Sequence, residues 1–218
     1  MRITTIFVSA ATLCLAVSSA FAATEATVPS HDPLSFTVLR NGDAVGSHIL
    51  RFQSMSDGTL VVTTDTNVVV KMAMIPVYRF EHHGREIWHG DHLMALNSET
   101  NDDGTHHVLK ASGATGALIA DGDGKIARLP AETVPASLWN NATVVQGTLL
   151  NTLDGHAMAV HIADLGEDTV TVSGHPHPAR HYAMTGDLNR EVWYDSTGGL
   201  VQVRFKAKDD SDIQYVLK

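Results

Sequence analysis

The sequence predicts an all-β fold: a single strongly curved antiparallel sheet forming an open or incomplete barrel, with at most one or two short helical turns, after an N-terminal signal segment. Three observations predict it. Turn signals recur along the chain at hairpin spacing. The segments between them are β-branched or alternate apolar with polar residues. One stretch alone has helical character. Roughly ten to twelve strands are expected from this pattern.

Residues 1–22 carry, in order, the properties of a cleavable secretory leader. Arg2 supplies the basic start, residues 6–17 the apolar run, and Ala20-Phe21-Ala22 the small-residue exit, so the cut is expected after Ala22 and the mature chain in the periplasm. The apolar run is shorter than the roughly 20 residues of a bilayer span, and no later segment approaches one, so no integral membrane segment is expected in the mature chain. A single arginine excludes a twin-arginine leader and points to export in an unfolded state. Cys14 is the only cysteine, and the residues before it, Ala11-Thr12-Leu13, lack the lipoprotein pattern. The mature chain is therefore expected to have no disulfide, no thiol catalysis and no thiolate metal ligand.

Residues 23–32 combine Thr, Pro and Ser without periodicity and read as a disordered lead-in. Residues 33–218 read as a single β domain with no internal boundary. Its turns are marked by Asn41-Gly42-Asp43, Ser56-Asp57-Gly58, Asn101-Asp102-Asp103-Gly104, Asp121-Gly122-Asp123-Gly124, Asp154-Gly155, Ser196-Thr197-Gly198-Gly199 and Asp209-Asp210-Ser211. Near the C-terminus Val201, Val203 and Phe205 share one strand face and Gln202, Arg204 and Lys206 the other. Ile213, Tyr215 and Leu217 repeat the pattern. Residues 131–141 alone look helical, and Pro135 limits them to a turn or two.

Removing Arg2 lowers Lys plus Arg from 15 to 14 against 24 acids, a net charge of −10. Such a surface repels nucleic acid and anionic headgroups. No nucleophile elbow, HExxH, P-loop or dinucleotide fingerprint is present. No catalytic residue is assigned and no enzyme activity is expected. No cofactor or resident metal is assigned either.

Two aromatic stretches are distinctive: Pro76-Val77-Tyr78-Arg79-Phe80 leading into Glu86-Ile87-Trp88-His89-Gly90-Asp91-His92-Leu93, and Glu191-Val192-Trp193-Tyr194-Asp195 leading into Gly199-Leu200-Val201. With the Asn101-Asp102-Asp103-Gly104 turn and the tail at 213–217, they resemble the bacterial envelope family called domain of unknown function 6134. That family is similar in turn to the incomplete β-barrels of the lipoprotein carriers LolA and LolB, which wrap a sheet around an apolar cavity. The resemblance implies a fold and no catalytic residue.

Val68, Val70, Met72 and Met74 share a face in the most apolar stretch of the mature chain, and flexible thioethers suit an irregular apolar ligand such as an acyl chain. The competing assignment is core filling. Trp88 and Trp193 each carry an acid at i−2, Glu86 and Glu191, on the same strand face, a pattern that places a carboxylate beside each indole. These six apolar and aromatic residues are the candidate ligand-binding set. Thirteen histidines cluster as His82-His83, His89 with His92, His106-His107, and His175, His177 with His181. His175 and His177 share a face, which supports an alternative reading as a transition-metal binder, although exposed polar residues on an edge or loop set by Pro176 and Pro178 are the default explanation. Asp121-Gly122-Asp123-Gly124-Lys125 begins like a calcium loop but lacks its ligand and glycine at positions five and six, so a hairpin is expected. The function expected is non-enzymatic binding of a lipid or other hydrophobic ligand. The alternatives are metal binding or a structural module that presents a sheet edge to a partner.

Overall fold

Long runs such as Thr59-Leu60-Val61-Val62-Thr63-Thr64, rich in β-branched residues, favour the pleated, half-buried surface that the chain adopts almost throughout. The structure, a computed structural model, describes residues 32–218. The leader and nearly all of the lead-in lie outside them. Fifteen strands follow: β1 (Leu34–Arg40), β2 (Asp43–Ser54), β3 (Thr59–Met72), β4 (Ile75–His89), β5 (His92–Asp102), β6 (Thr105–Ala114), β7 (Ala117–Gly122) and β8 (Lys125–Leu129); then β9 (Val134–Pro135), β10 (Thr148–Leu150), β11 (Ala157–Val172), β12 (His175–Gly186), β13 (Arg190–Tyr194), β14 (Leu200–Lys206) and β15 (Asp212–Leu217). They form one sheet in the order β8-β7-β6-β5-β4-β3-β2-β1-β15-β14-β13-β12-β11-β10-β9. The all-β open sheet is as the sequence predicts. The strand count exceeds the expected one in part because β9 and β10, of two and three residues, are too short to show a period.

Closure follows from connectivity. β8 and β9 are consecutive in the chain yet stand at opposite edges of the sheet. The link from Leu129 to Val134 reaches at most about 18 Å, so the sheet has to roll until its edges nearly meet. The result is a barrel with an unpaired seam. One apolar cluster, contributed by strands from β1 to β15, fills the inside.

Turn chemistry sets the hairpins. Asp103-Gly104 and Asp123-Gly124 take consecutive positive φ values of 51° and 92°, and 52° and 76°, the twist that matches two-residue hairpins. The β3–β4 turn adopts the same geometry without glycine, at Ala73 (φ 47°) and Met74 (φ 71°). In the tail hairpin Asp210 holds φ 62°.

The segment expected to be helical is irregular instead: Val134–Pro135 form a short strand flanked by turns, and Leu138 takes φ 65°. Residues 136–139 cross the lumen, and the helical turn, a 3-10 helix, falls at Asn141–Val145, with Asn140 Oδ1 accepting from Ala142 N at 2.9 Å. Pro135 supplies no amide hydrogen, and the walls pull the following residues inward. Trp139 packs edge-on against Trp88 and Phe52, at centroid distances of 5.6 and 5.4 Å. On the far wall Tyr194 Oη donates to the Leu138 carbonyl at 2.7 Å. In the loop after β10, Ser98 Oγ donates to the Thr152 carbonyl. Next to it Gly122 admits no side chain, since an added Cβ would lie 1.6 Å from the Asp154 carbonyl oxygen.

Candidate functional site

The crossing segment occupies one level of the lumen and leaves a polar level beside it. On the inner face of β4, Phe80, His82, Gly84, Glu86 and Trp88 follow one another at every second position. Register joins Phe36 to His48, His48 to Thr66, Thr66 to His82, and His82 to Thr100, a row across β1 to β5. Along it His48 Nδ1 and Thr66 Oγ1 are hydrogen-bonded at 2.7 Å, and His82 Nδ1 and Thr100 Oγ1 also at 2.7 Å. Each imidazole thus keeps Nε2 for another partner. Burial is the main reason both rings resist protonation, lowering His48 to about 3 and His82 to about 4. At neutral pH both are uncharged.

The opposite wall supplies a cation. Arg190 opens β13 on its inner face, with its guanidinium carbon 3.7 Å from the centroid of the Phe205 ring. Its charge acts on His48, whose ring lies 5.2 Å from that of Tyr215. Burial pulls the guanidinium below its ordinary value, and no carboxylate counters this. Between the walls lies a cavity of about 120 Å³, lined by His48, Thr66, Phe80, His82, Arg190 and Tyr215 among others.

Glu86 borders the cavity, and two tryptophans hold its carboxyl from behind. Trp88 Nε1 and Trp139 Nε1 both donate to Glu86 Oε2, at 2.8 and 3.0 Å. Burial nevertheless pushes the Glu86 carboxyl upward, against the hydrogen bonds from Trp139, Ser137 and Trp88. The acid at i−2 does sit beside its indole here, and it recruits a second indole from the crossing segment.

The remaining candidates scatter. Val68 is buried next to Phe80 in the adjoining register row, and Val70 is half-buried. Met72 and Met74 are 67% and 85% exposed, so they do not line the interior. The β3–β4 pair slips register between Val70 and Lys71, which ends the inward alternation, and the hairpin tip runs past the barrel wall. Ile75 and Val77 are exposed on the same tip. Strand directions put this tip and Arg190 at the same end of the sheet. Tyr78, bonded through its hydroxyl to Asp102 at 2.7 Å, is kept protonated chiefly by burial and then by Asp102 itself, with smaller contributions from Asp103 and Tyr215.

Trp88 is core, and Trp193 is also buried, 2% exposed, among polar partners. Its ring stacks on His181 at 4.0 Å, and its Nε1 donates to Asp168 Oδ2 at 2.9 Å. Glu191 instead holds His181 Nε2 and Arg204, at 2.9 and 2.6 Å. His175, His177 and His181 are not gathered, and among the described residues no group of three His, Cys, Asp or Glu side chains is placed to hold a metal ion. The calcium-like stretch is the β7–β8 hairpin. A second, wider hollow of about 420 Å³ lies at the other end, between His177, Tyr182, Tyr194 and Asp195. Reading by sequence missed His48 and Arg190. His48 stands two residues before Leu50 and four before Phe52 on one strand face, a signal that was present; Arg190, beside a turn, had none.

No helix among the described residues is long and apolar enough to cross a membrane. No curated protein matches the chain. Among solved structures, the chain is similar to a crystal structure described as a β-barrel-like protein of domain of unknown function 1849 from Brucella abortus. The TM-score is 0.59 at 11% identity, over 85% of this chain and 95% of the other. That likeness concerns the fold. The model of the family described as domain of unknown function 6134 matches residues 36–218, and the chain belongs to that family.

Proposed function

We propose that the domain is a non-enzymatic binding module of the cell envelope, exported by its leader, that holds a small amphipathic molecule. The polar end occupies the lumen cavity and the apolar part leaves toward the β3–β4 hairpin. The observation that carries this is the cavity lining. His48 and His82 each offer a ring nitrogen, and Arg190 a guanidinium, that the protein itself leaves unmatched.

Volume favours a partly inserted ligand over a swallowed acyl chain. Sites for drug-sized molecules span about 300–1,000 Å³, whereas this cavity measures about 120 Å³. The exposed Met72, Met74, Ile75 and Val77 at the same end offer apolar cover for what remains outside. The test is to purify the protein natively from the envelope, release bound molecules by denaturation and identify them by mass spectrometry. A stoichiometric amphipath is expected. Protein that emerges empty, and takes up no amphipath when one is offered, would sink the reading.

A further inference from the structure

We propose that the lumen cavity is the seat of a single carboxylate, received by the guanidinium of Arg190. This rests on the reading of the domain as a binding module and names the chemistry of the ligand's polar end. Arg190 differs from the other arginines of the described chain in its surroundings. Arg40, Arg51, Arg79, Arg180 and Arg204 each have a carboxylate partner, Asp209, Asp65, Glu81, Asp164 and Glu191, while Arg85 and Arg128, which have none, are exposed and solvated by water. Arg190 faces the lumen, is half-buried, and has no carboxylate partner among the described residues. A cation partly withdrawn from water without a counter-charge is costly, and the usual remedy is an anion. A ligand fits this role because the guanidinium borders a cavity and not packed protein.

Charge and shape select the class. The groups facing the space are His48, His82, Tyr215, Arg190 and Glu86; Tyr78 with Asp102 stands near Tyr215. Both imidazoles are neutral at physiological pH and the Glu86 carboxyl is engaged by the two indoles, so Arg190 is the one cationic group among the described residues that faces a ligand. A carboxylate balances it one to one, whereas a phosphate dianion would leave a surplus charge in a poorly solvated space. The guanidinium fork matches two carboxylate oxygens side by side. Size agrees: an apolar cavity of about 150 Å³ accepts benzene, so about 120 Å³ accommodates a carboxylate with its first few carbons. The Nε2 atoms of His48 and His82 are left to hydrogen-bond polar atoms next to it.

The experiment uses the protein purified from the envelope, stripped of ligand, with ¹³C-carboxyl acetate, ¹³C-carboxyl octanoate and inorganic phosphate as probes followed by NMR. Saturable carboxylate binding is expected, falling by about tenfold to a hundredfold in Arg190→Met, the range of a charged hydrogen bond. Arg190→Lys, which keeps the charge and loses the fork, is expected to bind in between, and it serves as the reporter if Arg190→Met fails to fold. The ligand-free Arg190→Met protein is expected to resist urea at least as well as wild type, which a structural arginine would not allow. Acetate binding as well as octanoate identifies a short free acid. Octanoate preferred, and weakened by Met72→Ser with Met74→Ser, identifies the end of a fatty acid; both outcomes support the seat. Equal binding with and without Arg190, or phosphate displacing both acids, overturns it. A neutral amphipath recovered from native protein would remove the carboxylate and leave the binding module; no recovered molecule and no bound probe would remove both.

Discussion

Glu86 joins two distant parts of the chain through one oxygen. Replacing it with alanine leaves the indole hydrogens of Trp88 and Trp139 buried without an acceptor, at about 1–3 kcal/mol each, so a loss of about 3–5 kcal/mol is expected in urea unfolding. Glu86→Gln keeps an acceptor and removes the buried acid. Because the folded-state value of Glu86 is raised, the wild type loses stability as pH rises through that value. The glutamine protein is therefore expected to match or exceed wild type at pH 8 and to lose that advantage below the unfolded value of 4.5. The histidines act with the opposite sign. His48 and His82 are depressed to about 3 and about 4 from 6.5, so their neutral burial costs nothing above pH 6.5 and progressively more as pH falls toward those values. At pH 5 the cost is about 2 kcal/mol each. The double variant His48→Gln, His82→Gln is expected to flatten the acid limb of stability between pH 6.5 and 4, measured as urea midpoints; an unchanged limb would mean that the rings are not buried neutral. Glu86 is common to both proteins and drops out of the comparison. At this scale the sequence showed Glu86 beside Trp88, because i−2 on a strand is a local relation. It did not show Trp139 or Arg190, whose roles depend on contacts across the lumen.

The crossing segment and the β3–β4 hairpin invert what local pattern suggests. Residues 131–141 have helical composition, but Trp139 gains more by filling the lumen, where it is 1% exposed, than a turn of helix capped by Pro135 would give. Trp139→Ala is expected to cost about 3–5 kcal/mol, whereas Met72→Ser with Met74→Ser should change stability by about 0.5 kcal/mol or less. Equilibrium unfolding of the two proteins checks the pair, and a large loss from the methionines would mean that the tip is packed. Ala73→Gly is expected to stabilise by about 1 kcal/mol, since the left-handed conformation that Ala73 holds (φ 47°) costs that much with a side chain. The apolar run was legible as a strand, yet its inward alternation ends at the Val70–Lys71 slip. The extra residue there is Val77 on β4, a bulge that bends the hairpin tip without inserting a residue in the apolar run, and composition does not reveal it.

At the scale of the whole molecule, the all-β class was legible because turn residues and two-residue alternation are repeated in nearly every element. The order of strands was not, since no local signal says that β1 pairs with β15 in the middle of the sheet. That pairing, Phe36 with Leu217 and Val38 with Tyr215, joins strands from opposite ends of the described chain, while every other neighbouring pair is consecutive in sequence. The seam between β8 and β9 is the one place where consecutive strands do not pair. Opening the chain there, within residues 130–133, and joining Lys218 to Asp32 through a short Gly-Ser linker makes every strand pair local. The join is short because Lys218 N already donates to the Ser35 carbonyl at 2.9 Å, and the opening is mild because Pro130 and Glu132 are exposed. Folding rates fall as contacts become more distant in sequence, so this permutant is expected to refold about tenfold faster or more, with an unfolding rate close to that of wild type. Stopped-flow tryptophan fluorescence reads both, since Trp88 and Trp139 are buried together only when the barrel has closed. Equal refolding rates would place the β1–β15 pairing after the rate-limiting step, and a permutant unable to fold would mean that the 130–133 link, and not the packed lumen, holds the two edges together.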